Sequence, residues 1–436
     1  MALTGRTALL AALGSLVVGL LLPSWTGIAA VSGALLLGVL VDLLLAAPVR
    51  RLRLERAGDS SVRLGEPATI TLTVVNPSGR SLRAGLRDAW PPSAFQPGTE
   101  LAASRHTLRV PPGERRRITT ELRPTRRGDH QAHRVTVRSH GPLGLAGRQG
   151  SRQVPWTLRA LPPFTSRKHL PSRLARLREL DGRTSLLTRG QGTEFDSLRE
   201  YLPGDDVRSI DWRASARRNT VAVRTWRPER DRHILIVLDT GRTSAGRVGD
   251  APRLDAALDA ALLLTALATK AGDRVDLLAH DLRPRGTVLG RSATDVLPAV
   301  THAMALLEPA LVETDLRALT ATVLRLAPRR SLIVLLTGLD AGPAEDSLLP
   351  LLPQLTKRHQ VVIAAVADPR LTELAAGRGT LPAVYGAAAA EQTRADRRAV
   401  ADRLTRLGAT VLDAPPTALP PALADAYLAL KAAGLL

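Results

Sequence analysis

The chain has 436 residues, 44% of them hydrophobic and 3% aromatic, no cysteine, and a formal net charge of +20. That length exceeds a single ordinary core and the composition excludes collagen-like and disordered classes, while the absence of cysteine excludes disulfides, thiolate catalysis and Cys-ligated zinc. The 60 basic residues are 56 arginines and 4 lysines, a skew that points to genome base composition rather than to a polyanionic partner.

Thr7 to Leu22 is apolar throughout, and after Pro23-Ser24-Trp25 a second apolar stretch runs from Thr26 to Ala47 with Asp42 as its only charge. As helices these would be about 24 Å and 33 Å long, against a hydrocarbon core of about 30 Å, so two membrane spans are expected. No small-residue cleavage site separates them as a signal peptide would require. Arg6 precedes the pair and Arg50, Arg51, Arg53 and Arg56 follow it, which predicts a cytoplasmic location for both ends and for the bulk of the chain. Residues 50–160 carry 21 basic and 8 acidic side chains, a surplus that anionic membrane lipid would attract.

The organisation expected is 1–50 as two transmembrane helices, 51–161 as a β-rich, sandwich-like domain, 162–232 as a linker and a charged segment, and 233–436 as an α/β domain. In the second region Ala68–Val75 alternates in polarity and stops at Asn76-Pro77-Ser78-Gly79, and Arg134–Arg138 stops at Gly141-Pro142, as strands bounded by turns do. A basic helix is expected at Pro171–Leu180, with Leu174, Leu177 and Leu180 on one stripe.

From His233 onward apolar runs alternate with amphipathic segments. Five strands are predicted, beginning at His233, Arg274, Ser331, Val361 and Thr410, with helices at 254–271, 295–307, 316–326, 346–358, 392–407 and 419–431. Three of the strands are almost continuously apolar, the mark of a doubly wound parallel sheet whose ligands sit at the strands' carboxyl ends, here near Asp239, Thr337 and Asp368.

The densest constellation begins at Gly192 and includes Glu194, Phe195, Leu198, Arg199, Glu200, Tyr201, Gly204, Asp205, Asp206, Arg208, Asp211, Trp212, Arg213 and Arg217. Charges alternate with apolar anchors at Phe195, Leu198, Tyr201, Ile210 and Trp212, so part of it should be buried. Pairs of Asp205, Asp206 and Asp211 with Arg199, Arg208 and Arg213 would then offset desolvation. The competing readings are a partner-binding surface and paired carboxylates at Asp205 and Asp206 that hold a metal or act as acid and base, although neither a His nor a Ser nucleophile accompanies them. This run, EF-x-x-LREY-x-x-GDD-x-R-x-IDWR-x-SAR, resembles the hallmark of the bacterial domain of unknown function 58 family. The order of parts is similar too. The resemblance implies a von Willebrand A-like C-terminal domain and a MoxR-type AAA+ ATPase as partner.

In von Willebrand A domains a loop Asp-x-Ser-x-Ser after the first strand holds a divalent cation; here it reads Asp239-Thr240-Gly241-Arg242-Thr243, and the later Thr-Asp pair reads Thr337-Gly338. Asp239, Thr243 and Thr314 (with Asp315) remain as oxygen donors, so Mg²⁺ would find a degenerate site. Asp239 could instead cap a helix or pair with an arginine. No phosphate loop or Rossmann fingerprint is present, and the aromatics are too scattered to stack bases, so neither nucleotide nor nucleic acid is expected. The function expected is a protein-interaction adaptor for the ATPase, with no catalytic residue and no cofactor. The alternatives are a metal-dependent hydrolase built on Asp205, Asp206 and Asp211, and an envelope scaffold acting without an ATPase.

Overall fold

The computed structural model describes residues 2–187, 194–202, 205–218, 220–227, 232–340, 342 and 344–436. Two compact units result, Met1–Pro163 and Phe164–Leu436.

The first unit opens with a short strand β1 (Ala2–Leu3), then helices α1 (Gly5–Leu21) and α2 (Trp25–Leu45). Pro23 separates the helices, and the Ser24 hydroxyl caps α2 by accepting from Gly27 N at 3.1 Å. Trp25–Arg51 is long and apolar enough to cross a membrane, whereas Gly5–Leu21 is a shorter apolar helix. Ten strands follow: β2 (Arg53–Gly58), β3 (Ser61–Arg63), β4 (Ala68–Val75), β5 (Leu82–Asp88), β6 (Arg105–Val110), β7 (Arg115–Leu122), β8 (Gly128–Gln131), β9 (Val135–His140), β10 (Ala146–Arg152) and β11 (Thr157–Leu161). They form sheets of order β1-β10-β9-β5-β6, β2-β4-β7 and β3-β11-β8. Alternation in β4 turns Leu72 and Val74 inward and its threonines outward, and those residues share one core with Leu82 and Leu86 of β5 and Val137 of β9, so two sheets pack face to face.

The second unit starts with helix Leu170–Leu187. Phe164, Leu170, Leu174, Leu177 and Leu180 pack on the core of the sheet described below, so the stretch expected to be a linker is an integral layer of this unit. The leucine stripe was correctly spaced for a helix, but its apolar face has a partner.

Strands β12 (Glu194–Glu200) and β13 (Ala222–Arg227) then form an antiparallel pair, with a 3₁₀ turn at Val207–Ser209 and a helix at Trp212–Arg218 between them. Next come β14 (His233–Asp239), a two-residue pair β15 (Arg247–Val248) and β16 (Ala251–Pro252), β17 (Arg274–His280), β18 (Pro284–Val288), β19 (Leu332–Leu336), β20 (Gln360–Val366) and β21 (Ala409–Ala414). The main sheet runs β18-β17-β14-β19-β20-β21, parallel except for the edge strand β18.

Strand β14 explains the layering. Ile234, Ile236 and Leu238 face helices Arg253–Lys270 and Leu419–Ala432, while Leu235 and Val237 face helices Leu316–Leu326, Leu349–Thr356 and Leu381–Arg406. Both faces are thus covered, as continuous apolar strands require. The sixth strand, β18, escaped the sequence reading because Pro284-Arg285-Gly286-Thr287-Val288 is short and polar, as an edge strand tolerates. The helix expected from Gln392 begins at Leu381 instead, where Thr380 precedes a Pro at the second helical position.

Candidate functional site

Strand order places the chain reversal between β14 and β19, the crevice in which doubly wound sheets hold ligands. Asp239 ends β14 there and is 3% exposed. Its Oδ1 accepts from Gly241 N at 2.8 Å and Thr314 Oγ1 at 2.5 Å, and its Oδ2 accepts from Thr243 Oγ1 at 3.0 Å and Thr337 Oγ1 at 2.6 Å. Four neutral donors fill the roughly four acceptor sites of one carboxylate. Asp239 therefore pairs with hydroxyls and a backbone N–H, not with an arginine as one reading of the sequence had it. A cleft of about 340 Å³ opens beside it, lined among others by Arg242, Glu313, Leu316 and Ser347. Arg242 and Glu313 pair at its mouth at 2.5 Å.

Asp239, Thr243 and Thr314 are thus brought together as expected, but Asp315 is not. Its carboxylate caps helix Leu316–Leu326 through Ala318 N at 2.9 Å. Thr337 completes the set and was missed as a donor, because the sequence motif drew attention to the neighbouring Gly338. Nor is Gly241 simply a lost ligand: a Cβ there would collide with Thr314 Oγ1, so glycine is what lets Thr314 reach Asp239. Asp340 lies close by, and Arg253 Nη1 at 3.2 Å and Arg397 Nη1 at 3.6 Å neutralise it. Among the described residues no group of three His, Cys, Asp or Glu side chains could hold a metal ion.

In the charged segment Arg199 Nη2 and Asp205 Oδ1 meet at 2.5 Å, and that hydrogen bond holds the Asp205 carboxyl below the usual carboxylate range. The other Asp205 oxygen accepts from Leu202 N at 2.9 Å. Asp206 accepts from Arg208 N at 2.9 Å and so caps the 3₁₀ turn. Asp211 caps the next helix through Ala214 N at 3.0 Å and pairs with Arg224 at 2.8 Å, interactions that hold it below the ordinary range as well. The arginine opposite Asp211 is therefore Arg224 rather than one of the expected Arg199, Arg208 and Arg213, because the Ile210–Val223 bridge and the bond from Asp211 N to Ala222 O set β13 beside it. Ser215 joins the elements, donating to Asp211 O at 2.7 Å and accepting from Ala222 N at 2.8 Å.

Burial of the apolar anchors is only partial. Leu198, Tyr201 and Ile210 are half-buried, but Trp212 is 69% exposed, contrary to its reading as a buried anchor, since the helix it starts turns it outward. Glu200, Asp206, Arg208, Arg213 and Arg217 are exposed as well. Glu194 and Phe195 open β12, opposite Arg227 and Trp226, and Gly204 lies outside the described residues.

Residues 197–409 match the family model described as "Protein of unknown function DUF58". Uncharacterized proteins of Mycobacterium bovis and Mycobacterium tuberculosis are 29% identical over 187 residues, which are 42% of this chain and 58% of theirs. The chain thus spans less than two thirds of the length of these relatives. An uncharacterized protein of Bacillus subtilis is 26% identical over 122 residues, 28% of this chain and 30% of that one. Among solved structures, the CARDB domain of a Pyrococcus furiosus protein is 14% identical and covers 27% of this chain and 90% of that one, at a TM-score of 0.19. Through the hallmark and this match, residues 197–409 belong to the DUF58 family of proteins of unknown function.

Proposed function

We propose that the protein is a membrane-anchored adaptor whose second unit, read as von Willebrand A-like, grips another polypeptide and recruits a MoxR-type AAA+ ATPase for assembly or maturation of client complexes. The observation that carries this reading is how the hallmark uses its charge. Asp205, Asp206 and Asp211 are committed to arginines, turns and a helix cap, while Trp212 and the arginines Arg208, Arg213 and Arg217 face solvent. Exposed Trp and Arg are the residue types that dominate binding hot spots. Carboxylates so engaged are poorly free to serve as metal ligands or as an acid and base pair, which disfavours a hydrolase.

The cleft at Asp239 supports the same reading. A divalent ion there would meet a single carboxylate whose lone pairs already hold four donors, with Asp340 tied to arginines. That set fits Mg²⁺ poorly. In this proposal α1 and α2 both span the membrane, Trp25 sits at the far interface, and the rest of the chain is cytoplasmic. Pull-down of the detergent-extracted full chain with ATP present should enrich a MoxR-type ATPase, and Trp212→Ala should lose it. Enrichment of none overturns the proposal.

A further inference from the structure

Asp42 is the one charge in the apolar helix α2, and it is fully buried although its neighbours Leu36, Leu37 and Leu40 are exposed. An isolated carboxylate in hydrocarbon costs several kcal/mol, so its partners define what surrounds it. They are backbone N–H groups of the turn joining β9 to β10: Leu143 N at 2.8 Å to Oδ1, and Leu145 N at 2.5 Å and Ala146 N at 3.1 Å to Oδ2. Gly141 is what admits the carboxylate, since a Cβ there would strike Asp42 Oδ1.

Gly141, Gly144, Leu145 and Ala146 pair further backbone groups within the protein. Gly144 N donates to Gly141 O, and Gly141 N to Ala146 O. Gly144 O accepts from Thr4 Oγ1 at 2.7 Å, and Leu145 O accepts from Thr4 N, Thr4 Oγ1 and Thr7 Oγ1. Irregular backbone at membrane depth has no water to pair with, and these bonds to α1, α2 and the turn itself take its place at the buried part of the turn. Its side chains agree. Leu145 Cδ1 lies 3.0 Å and Leu143 Cδ1 4.0 Å from the position of a Cβ on Gly38, and Leu143 is 51% exposed. Gly38 is seven residues, about 10 Å, before the end of α2.

We infer that the Gly141–Ala146 turn is a membrane-embedded element, dipping beside the last turns of α2 so that Leu143 contacts lipid acyl chains, with Asp42 as the internal anion that holds it there. The inference rests on the reading of α2 as a span. The occupant of the exposed Leu143 surface is lipid because that surface continues the exposed leucines of α2.

The cysteine-free chain permits a clean test. Full-length L143C and, separately, L36C are labelled with an environment-sensitive fluorophore in nanodiscs of phosphatidylcholine and phosphatidylglycerol. The L143C label should emit to the blue, as at L36C, and be quenched by acyl-chain nitroxides and not by aqueous iodide. A water-like, iodide-quenched L143C signal beside a lipid-like L36C signal overturns the inference and leaves the span standing. A water-like signal at both positions overturns the span as well.

Discussion

Thr314 donates from Oγ1 to Asp239 Oδ1 at 2.5 Å, and it does so through the space that any side chain at position 241 would occupy. The loop that carries Gly241 is thus built around a hydroxyl contributed from 75 residues beyond Asp239.

Restoring the serine of a metal-binding loop should therefore harm the protein. Gly241→Ser is expected to destabilise the second unit by roughly 1–3 kcal/mol through steric conflict. The double variant with Thr314→Ala should recover part of that loss, the non-additivity that a shared contact produces. Urea unfolding of the three variants measures it.

Removing the central acceptor leaves its donors stranded. Asp239→Ala is expected to lower stability by roughly 2–4 kcal/mol, since one buried and two half-buried hydroxyls and a backbone N–H lose their partner together. Asp239→Asn, which keeps one acceptor oxygen, should cost less in the same measurement.

Millimolar Mg²⁺ should leave the melting temperature of the wild-type chain unchanged. Binding at a hundredfold excess over Kd would add about 2.7 kcal/mol, which a thermal scan readily detects. A clear upward shift that Asp239→Asn abolishes would show that the cleft takes a cation after all.

Asp276 carries a pH prediction. Burial raises its pKa, but hydrogen bonds from His233 at 2.9 Å, Gly290 N at 2.8 Å and Arg274 at 2.8 Å outweigh burial, so its carboxyl titrates below the ordinary range. A carboxyl depressed by folding contributes stability that is present above its unfolded value of about 4 and is lost as pH falls toward the folded value. Denaturation midpoints between pH 6 and 3 should fall less steeply in Asp276→Asn than in wild type, and that variant should be less stable at pH 7.

Trp212→Ala should change stability by less than about 0.5 kcal/mol, as expected at an exposed position. Loss of partner capture without loss of stability would separate a binding role for Trp212 from a packing role.

Much of the second unit was legible from periodicity. Helix Leu316–Leu326 has the bounds its spacing predicts, and Ile234–Leu238 forms a strand buried on both faces because no polar residue interrupts it. The segment before the hallmark was misread as a linker because a leucine stripe does not say whether a partner covers it. In the hallmark the residue types were readable as a charge network. Which arginine meets Asp211 depended on the bridge between Ile210 and Val223 of β13, and that bridge brings Arg224 across.

The sequence by itself determined the alternation of buried strands and amphipathic helices, the apolar helix at the N-terminus, and the position of Asp239 at the end of a strand. Only the tertiary structure decided what surrounds the lone carboxylates. Thr337 reaches Asp239 across 98 residues, and Leu145 N reaches Asp42 across 103. Local spacing sets which face of an element is apolar, but parallel strands gather their carboxyl ends, and turns return to a helix, at separations that no local pattern encodes.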